Sequence, residues 1–130
     1  MDNDIRQNPT ILVVEDVHET RDGIEKLLKV DGYRVLSARD ELEGIETAQR
    51  IRPNLILVSL AGQPSQVRGS GRRIRESVLA GEDLPVVIFC YEPEGDEVAV
   101  ENNVHIAQPD NFNQLRDLLA RLLGQPSPGA

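Results

Sequence analysis

The sequence predicts an α/β domain built on a doubly wound parallel sheet. Five short runs rich in β-branched or aliphatic residues, TILVV, YRVLSA, LILVSL, VVIFC and the weaker NVHIA, alternate with stretches of helical spacing. The runs are apolar almost without interruption, as expected of strands covered on both faces. Parallel neighbours need long right-handed crossovers, so this alternation places helices on both sides of one sheet. At 130 residues the chain fits one domain, able to remove roughly two thirds of its unfolded surface from water.

The polar start, residues 1–9, reads as a disordered arm, and the folded domain as residues 10–124. TILVV ends in Glu15 and Asp16. The first helix follows with Ile24, Leu27 and Leu28 on one stripe, and Asp16 is a candidate for its cap. The second is opened by Asp40 with Glu43 three residues on; it aligns Leu42, Ile45, Ala48 and Ile51 towards the sheet and stops at Pro53. In the third, Gly69 and Gly71 stand where the helix should begin, each costing about 1 kcal/mol relative to alanine. Only RRIRESVLA therefore reads as helical. The fourth segment, EPEGDEVAVENN, offers barely two turns. The last helix carries the clearest stripe, Leu115, Leu118, Leu119, Leu122 and Leu123, behind the capping pair Asn111 and Gln114. About five helices are expected in all. Residues 125–130, QPSPGA, read as a disordered tail or as a linker to a further domain, and no internal repeat is present.

Fourteen Lys and Arg against 22 Asp and Glu give a net charge of −8, which repels nucleic acid at long range. Arg68, Arg72, Arg73 and Arg75 cluster, as do Glu92, Glu94, Asp96, Glu97 and Glu101; these are either two solvated faces or a polarised docking surface. The single cysteine, Cys90, excludes an internal disulfide and fits a reducing, cytoplasmic setting. No apolar run approaches the roughly 20 residues that span a bilayer, and the N-terminus lacks the apolar core of a signal peptide.

In an open doubly wound sheet, chemistry gathers at the carboxyl ends of the strands. Those ends are Glu15 and Asp16, Ser59, Cys90 with Tyr91, and Gln108 with Pro109. Two adjacent acids at such an edge are candidate Mg²⁺ ligands. In order and spacing, ILVVED, GYRVLSA, RPNLILVSL, LPVVIFC and Gln108-Pro109 together resemble the receiver domain of bacterial two-component response regulators, over residues 10 to 123. The resemblance implies a flavodoxin-like sheet with strand order 2-1-3-4-5. It also implies an acidic pair that binds Mg²⁺, and an aspartate ending the third strand that accepts a phosphoryl group from a histidine kinase. A Ser or Thr ending the fourth strand and a Lys ending the fifth then sense the phosphate.

Glu15 and Asp16 match the acidic pair, but Ser59 stands at the phosphoacceptor position, Cys90 at the Ser or Thr, and Gln108 at the Lys. A serine hydroxyl is a poor nucleophile unless a base activates it, and the acceptor aspartate and its lysine are lost together, one negative and one positive group. His105 takes the place of the family's aromatic switch residue, as a polar aromatic spacer or as a proton-sensing group. Tyr91 brings a ring where the family keeps a small residue, and Pro64 and Val67 depart from its loop pattern. Cys90 reads as a small buried filler rather than a redox switch, His18 as an exposed first-turn residue, and the GSG at 69–71 is misplaced for a phosphate loop.

These substitutions imply a pseudo-receiver, not an enzyme, that works by binding proteins independently of phosphorylation. The expected partners are a histidine kinase, a response regulator or another signalling protein, with a homodimer as a further option and neither nucleic acid nor membrane. No cofactor is required, and Glu15 with Asp16 would hold Mg²⁺ only weakly. Its partner face, by resemblance, is built from the fourth helix, fifth strand and fifth helix, and includes Glu97, Glu101, Leu115 and Leu119. The alternative is a phosphorelay receiver that remains active through an unconventional acceptor, Ser59 itself, or an Mg²⁺-dependent switch.

Overall fold

The computed structural model describes residues 8–79, 81–90, 98–108 and 111–125, excepting the side chains of 82 and 98–101. Six strands form one sheet: β1 (Thr10–Val14), β2 (Arg34–Ala38), β3 (Leu55–Val58), β4 (Val86–Phe89), β5 (Val98–Glu101) and β6 (Val104–Ala107). Four helices cover it among the described residues: α1 (His18–Val30), α2 (Glu41–Arg50), α3 (Pro64–Ser77) and α4 (Phe112–Leu122). A single 3₁₀ turn, Gly81–Asp83, leads into β4. The order across the sheet is β2-β1-β3-β4-β6-β5, and every pairing is parallel except that of β5 with β6. The five parallel strands thus carry the expected order 2-1-3-4-5. No described helix is long and apolar enough to cross a membrane.

Strand alternation divides the interior into two layers. Leu12, Val14, Ile56, Val58, Val86, Ile88 and Ile106 face α2 and α3, where Ala48, Val67 and Ile74 close over them. Ile11, Val13, Leu55, Leu57, Val87 and Ala107 face α1 and α4, where Ile24, Leu28, Leu115, Leu118 and Leu119 do the same. Burial of a leucine such as Leu118 contributes roughly 1.5–3 kcal/mol. Two predicted caps are present. The Glu43 N–H donates to Asp40 Oδ1 at 2.8 Å, and the Gln114 N–H to Asn111 Oδ1 at 2.9 Å.

The helices differ from expectation in three places. α3 begins at Pro64 rather than near Arg72, because Gln63 and Gln66 form a reciprocal capping box and proline fits the first helical position. Gly71 is then a packing requirement: a Cβ there would lie 2.6 Å from Val86 Cγ1, so only glycine lets α3 approach the sheet so closely. α2 buries only the middle of the predicted stripe, Ala48 fully and Ile45 in part. Its buried residues are Gly44, Thr47 and Ala48, while Leu42 is 66% exposed and Ile51 is also exposed. Gly44 brings α2 against α3, with Ile74 Cδ1 only 2.9 Å from where a Cβ would stand. At α1 the cap position is Val17, without a side-chain bond, so Asp16 is not the cap.

Of the fourth predicted helical segment, residues 92–97 lie outside the description and Val98–Glu101 is a strand, so the described helices number four rather than about five. Val98–Glu101 pairs antiparallel with β6 through a turn at Asn102 and Asn103, whose φ angles are 49° and 64°. Asparagine tolerates this left-handed region better than most residues, and two successive positive φ angles suit the twist of a tight hairpin. The β-branched Val98 and Val100 favour the extended form over a short helix. Arg75, only 5% exposed, reaches from α3 and donates to the carbonyls of Leu84 at 3.2 Å and Asn102 at 2.8 Å, holding the hairpin turn against the domain.

Of the predicted arm, Pro9 accepts a hydrogen bond from the Arg34 N–H at 3.0 Å, while residues 1–7 lie outside the description. At the other end Gln125 donates its N–H to the Ala120 carbonyl at 2.8 Å, and the rest of the tail, 126–130, lies outside it too.

Candidate functional site

The carboxyl ends of β1, β3 and β4 open into a crevice of about 370 Å³, lined by Glu15, Asp16, Ser59, Leu60, Phe89 and Cys90 among others. Parallel pairing places these residues side by side. The Ser59 N–H donates to the Val14 carbonyl at 2.8 Å, and the Cys90 N–H to that of Ala107 at 3.1 Å, extending each ladder by one step into the crevice. Glu15 turns inward and is 3% exposed. Its Oε2 accepts the Val17 N–H at 2.9 Å, and the Ser59 hydroxyl lies near enough to favour the charged form of the same carboxyl group. Burial pushes the Glu15 pKa up; the Ser59 and Val17 bonds oppose this by favouring the charged form, and neighbouring Asp16 adds to the rise. Asp16 itself is exposed.

Gln108 ends β6 but does not line this cavity; its backbone N–H is held by Gln114 Oε1 at 3.3 Å. His105 lies on β6 paired with Val87, two positions before Phe89 at the crevice, and its Nε2 stands 2.8 Å from Asn103 Oδ1. His18 is exposed at the start of α1, with Nδ1 3.2 Å from Arg21 Nη2. Cys90 is half-buried and packs on the α2/α3 side of the core, as a filler would. The ring contact between Phe89 and Phe112, centroids 5.6 Å apart, ties the crevice wall to the first turn of α4; nothing in the spacing of two phenylalanines so far apart in sequence announced it.

An Mg²⁺ site would need several oxygen ligands in octahedral array. The strand ends supply two adjacent carboxylates, of which Glu15 is already engaged by an amide and a hydroxyl. Among the described residues no group of three His, Cys, Asp or Glu side chains is placed to hold a metal. Two carboxylates alone would leave most of the octahedron to water. Tyr91, Glu97 and Pro109 lie outside the described residues, as does the side chain of Glu101. Leu115 and Leu119 require correction as partner-face residues: both are fully buried beneath the sheet and offer a partner no surface.

No family model matches the chain. Response regulator RR06 of Streptococcus pneumoniae is 30% identical over 79 residues, covering 61% of this chain and 35% of the regulator's own length. Sporulation initiation phosphotransferase F of Bacillus subtilis is 21% identical over 122 residues, covering 89% of this chain and 94% of that protein. Among solved structures, the receiver domain of the Erythrobacter litoralis response regulator PhyR superposes with a TM-score of 0.66 at 22% identity, over 95% of this chain and 96% of that one. The chain therefore has the receiver fold, and its sequence is similar to those of response regulators.

Proposed function

We propose that this chain is a receiver domain of two-component type that no longer takes a phosphoryl group and acts as a protein-interaction module. The observation that carries the reading is Ser59. It follows directly on β3 and lines the crevice beside the buried Glu15, offering a neutral hydroxyl where phosphoryl transfer would need a carboxylate. An acyl phosphate needs a carboxylate nucleophile, and stabilising the transferred group needs a cation, where this chain has Gln108. A divalent ion then has no required role. The partner is a histidine kinase, a response regulator or another signalling protein, or a second copy of the chain. Its docking face is the sheet edge at β5, with Glu101, and the acidic stretch before it, with Glu97.

The contact between Ser59 and Glu15 also favours a second reading, in which the carboxylate acts as base for the hydroxyl. The Ser59 oxygen would then attack phosphorus, the leaving acetate would depart from acetyl phosphate, and the hydroxyl proton would pass to Glu15. Against it, a carboxylate is a weak base for an alcohol, and the Val17 N–H bonded to Glu15 Oε2 lowers its basicity further. Intact-mass measurement after incubation with Mg²⁺ and acetyl phosphate separates the two. Unchanged mass is the expected result. A phosphoryl adduct that disappears in Ser59→Ala would replace the first reading with the second.

A further inference from the structure

A second cavity, of about 450 Å³, lies at the opposite end of the sheet, where the strands begin. It is framed by the chain entering β1, by Arg34 at the start of β2, by the turn Ile51, Arg52 and Asn54 before β3, and by Leu123 after α4. Arg39, Arg73 and Arg116 each sit on a carboxylate, at 3.6, 2.7 and 2.7 Å. Arg34 and Arg52 are different: among the described residues neither guanidinium has an ion-pair or hydrogen-bond partner, although the chain carries 22 acids. Among the described residues no acidic side chain lines the cavity they share.

Asn54, which also lines this cavity, is held in place by two bonds to Thr10. Its Oδ1 accepts the Thr10 N–H at 2.7 Å, and its own N–H donates to the Thr10 carbonyl at 2.7 Å. With the carboxamide oxygen occupied, the end left for a ligand is the NH₂, a donor. Arg34, Arg52 and the Asn54 NH₂ thus bring donors to this space, two of them cationic; Asn8 adds a carboxamide that can turn its NH₂ towards an anion, and Ile51 and Leu123 supply an apolar wall. Two guanidiniums brought to one concavity repel each other, and an anion placed between them turns that repulsion into paired, charge-assisted bonds. The volume lies within the range of small-molecule sites.

We infer that Arg34, Arg52 and Asn54 form a binding site for a small multivalent oxyanion, of the phosphate or carboxylate class, at the strand-start end of the sheet. The site is independent of the crevice and of the proposed function. Its test is an NMR titration of the ¹⁵N-labelled full chain with inorganic pyrophosphate and, separately, with citrate, at constant ionic strength. Saturable shifts of the Arg34 and Asn54 amides are expected, preserved in Ser59→Ala and weakened at least about tenfold in Arg34→Gln/Arg52→Gln. Which of the two anions binds more tightly assigns the class. An otherwise unchanged spectrum of the double variant shows that its fold is intact. Shifts that never saturate, that sodium chloride reproduces, or that the double variant retains would overturn the site. Binding that appears only in Asp2→Asn/Asp4→Asn would overturn it as well, since the cavity would then belong to the chain's own acids.

Discussion

At Gly71 two preferences oppose each other. Alanine would favour the helix by about 1 kcal/mol, but its Cβ would meet Val86 Cγ1 at 2.6 Å, on a stiff β-branched side chain in a buried strand. The clash wins, because overpacking a filled core costs roughly 1–3 kcal/mol and Val86 has no free rotamer to yield. Gly71→Ala should therefore lower stability in urea unfolding by about that amount. Gly23, exposed in α1, is the control: a Cβ there meets nothing within 4 Å, so Gly23→Ala should raise stability by about 1 kcal/mol. Both residues look alike in sequence, as glycines inside helical spacing; only the distance to a distant strand distinguishes them. Ser59 and Glu15 were legible as strand ends, but their nearness was not, since 43 intervening residues separate a pair that the sheet brings together.

Among the elements, α2 and α3 are joined by Glu41, whose carboxylate accepts from Arg73 at 2.7 and 2.8 Å and from the Ser70 hydroxyl at 2.8 Å. The Arg73 bond holds the Glu41 pKa below its usual value, with Ser70 adding to the effect and partial burial opposing it. A carboxyl depressed in the folded state contributes stability above its unfolded pKa, near 4.5, and loses it as pH falls through the lower folded value. Glu41→Gln should therefore be less stable than the parent at pH 7, with the difference vanishing in acid; thermal unfolding of both proteins between pH 7 and 3 checks this. Arg73 is largely exposed, so the effect is modest and shrinks with added salt. The α2 stripe was right at Ala48 and Ile45 but misread at its ends, because Leu42 fits helical periodicity whereas the tight crossing with α3 selects small residues and buries Gly44.

Across the whole molecule, β1, β3 and β4 are paired on both sides and covered by helices on both faces, whereas β5 is bonded only to β6. Amide exchange should follow this order. The central strands should open only with global unfolding, and the β5 amides should exchange orders of magnitude faster. Equal protection of β5 and β4 would show that something covers the edge in solution, the outcome expected if a second copy adds to it. Millimolar Mg²⁺ should leave the thermal midpoint unchanged, since a ligand stabilises only as far as it binds the folded state. A clear upward shift would mean that Glu15 and Asp16 hold the ion despite the engaged carboxyl.

The sequence by itself determined the sheet: unbroken apolar runs need cover on both faces, and the lengths between them allow only crossovers that leave the strands parallel. It also determined what stands at each strand end, because a strand's last residue is set by where its apolar run stops. Tertiary structure decided which helical face is buried, whether a glycine breaks a helix or admits a neighbour, and that VAVE pairs as a strand instead of coiling. Each of these depends on a partner remote in sequence: Ile74 for Gly44, Val86 for Gly71, and β6 with Arg75 for β5. Local propensities differ by about 1 kcal/mol or less, and contacts with such partners outweigh that.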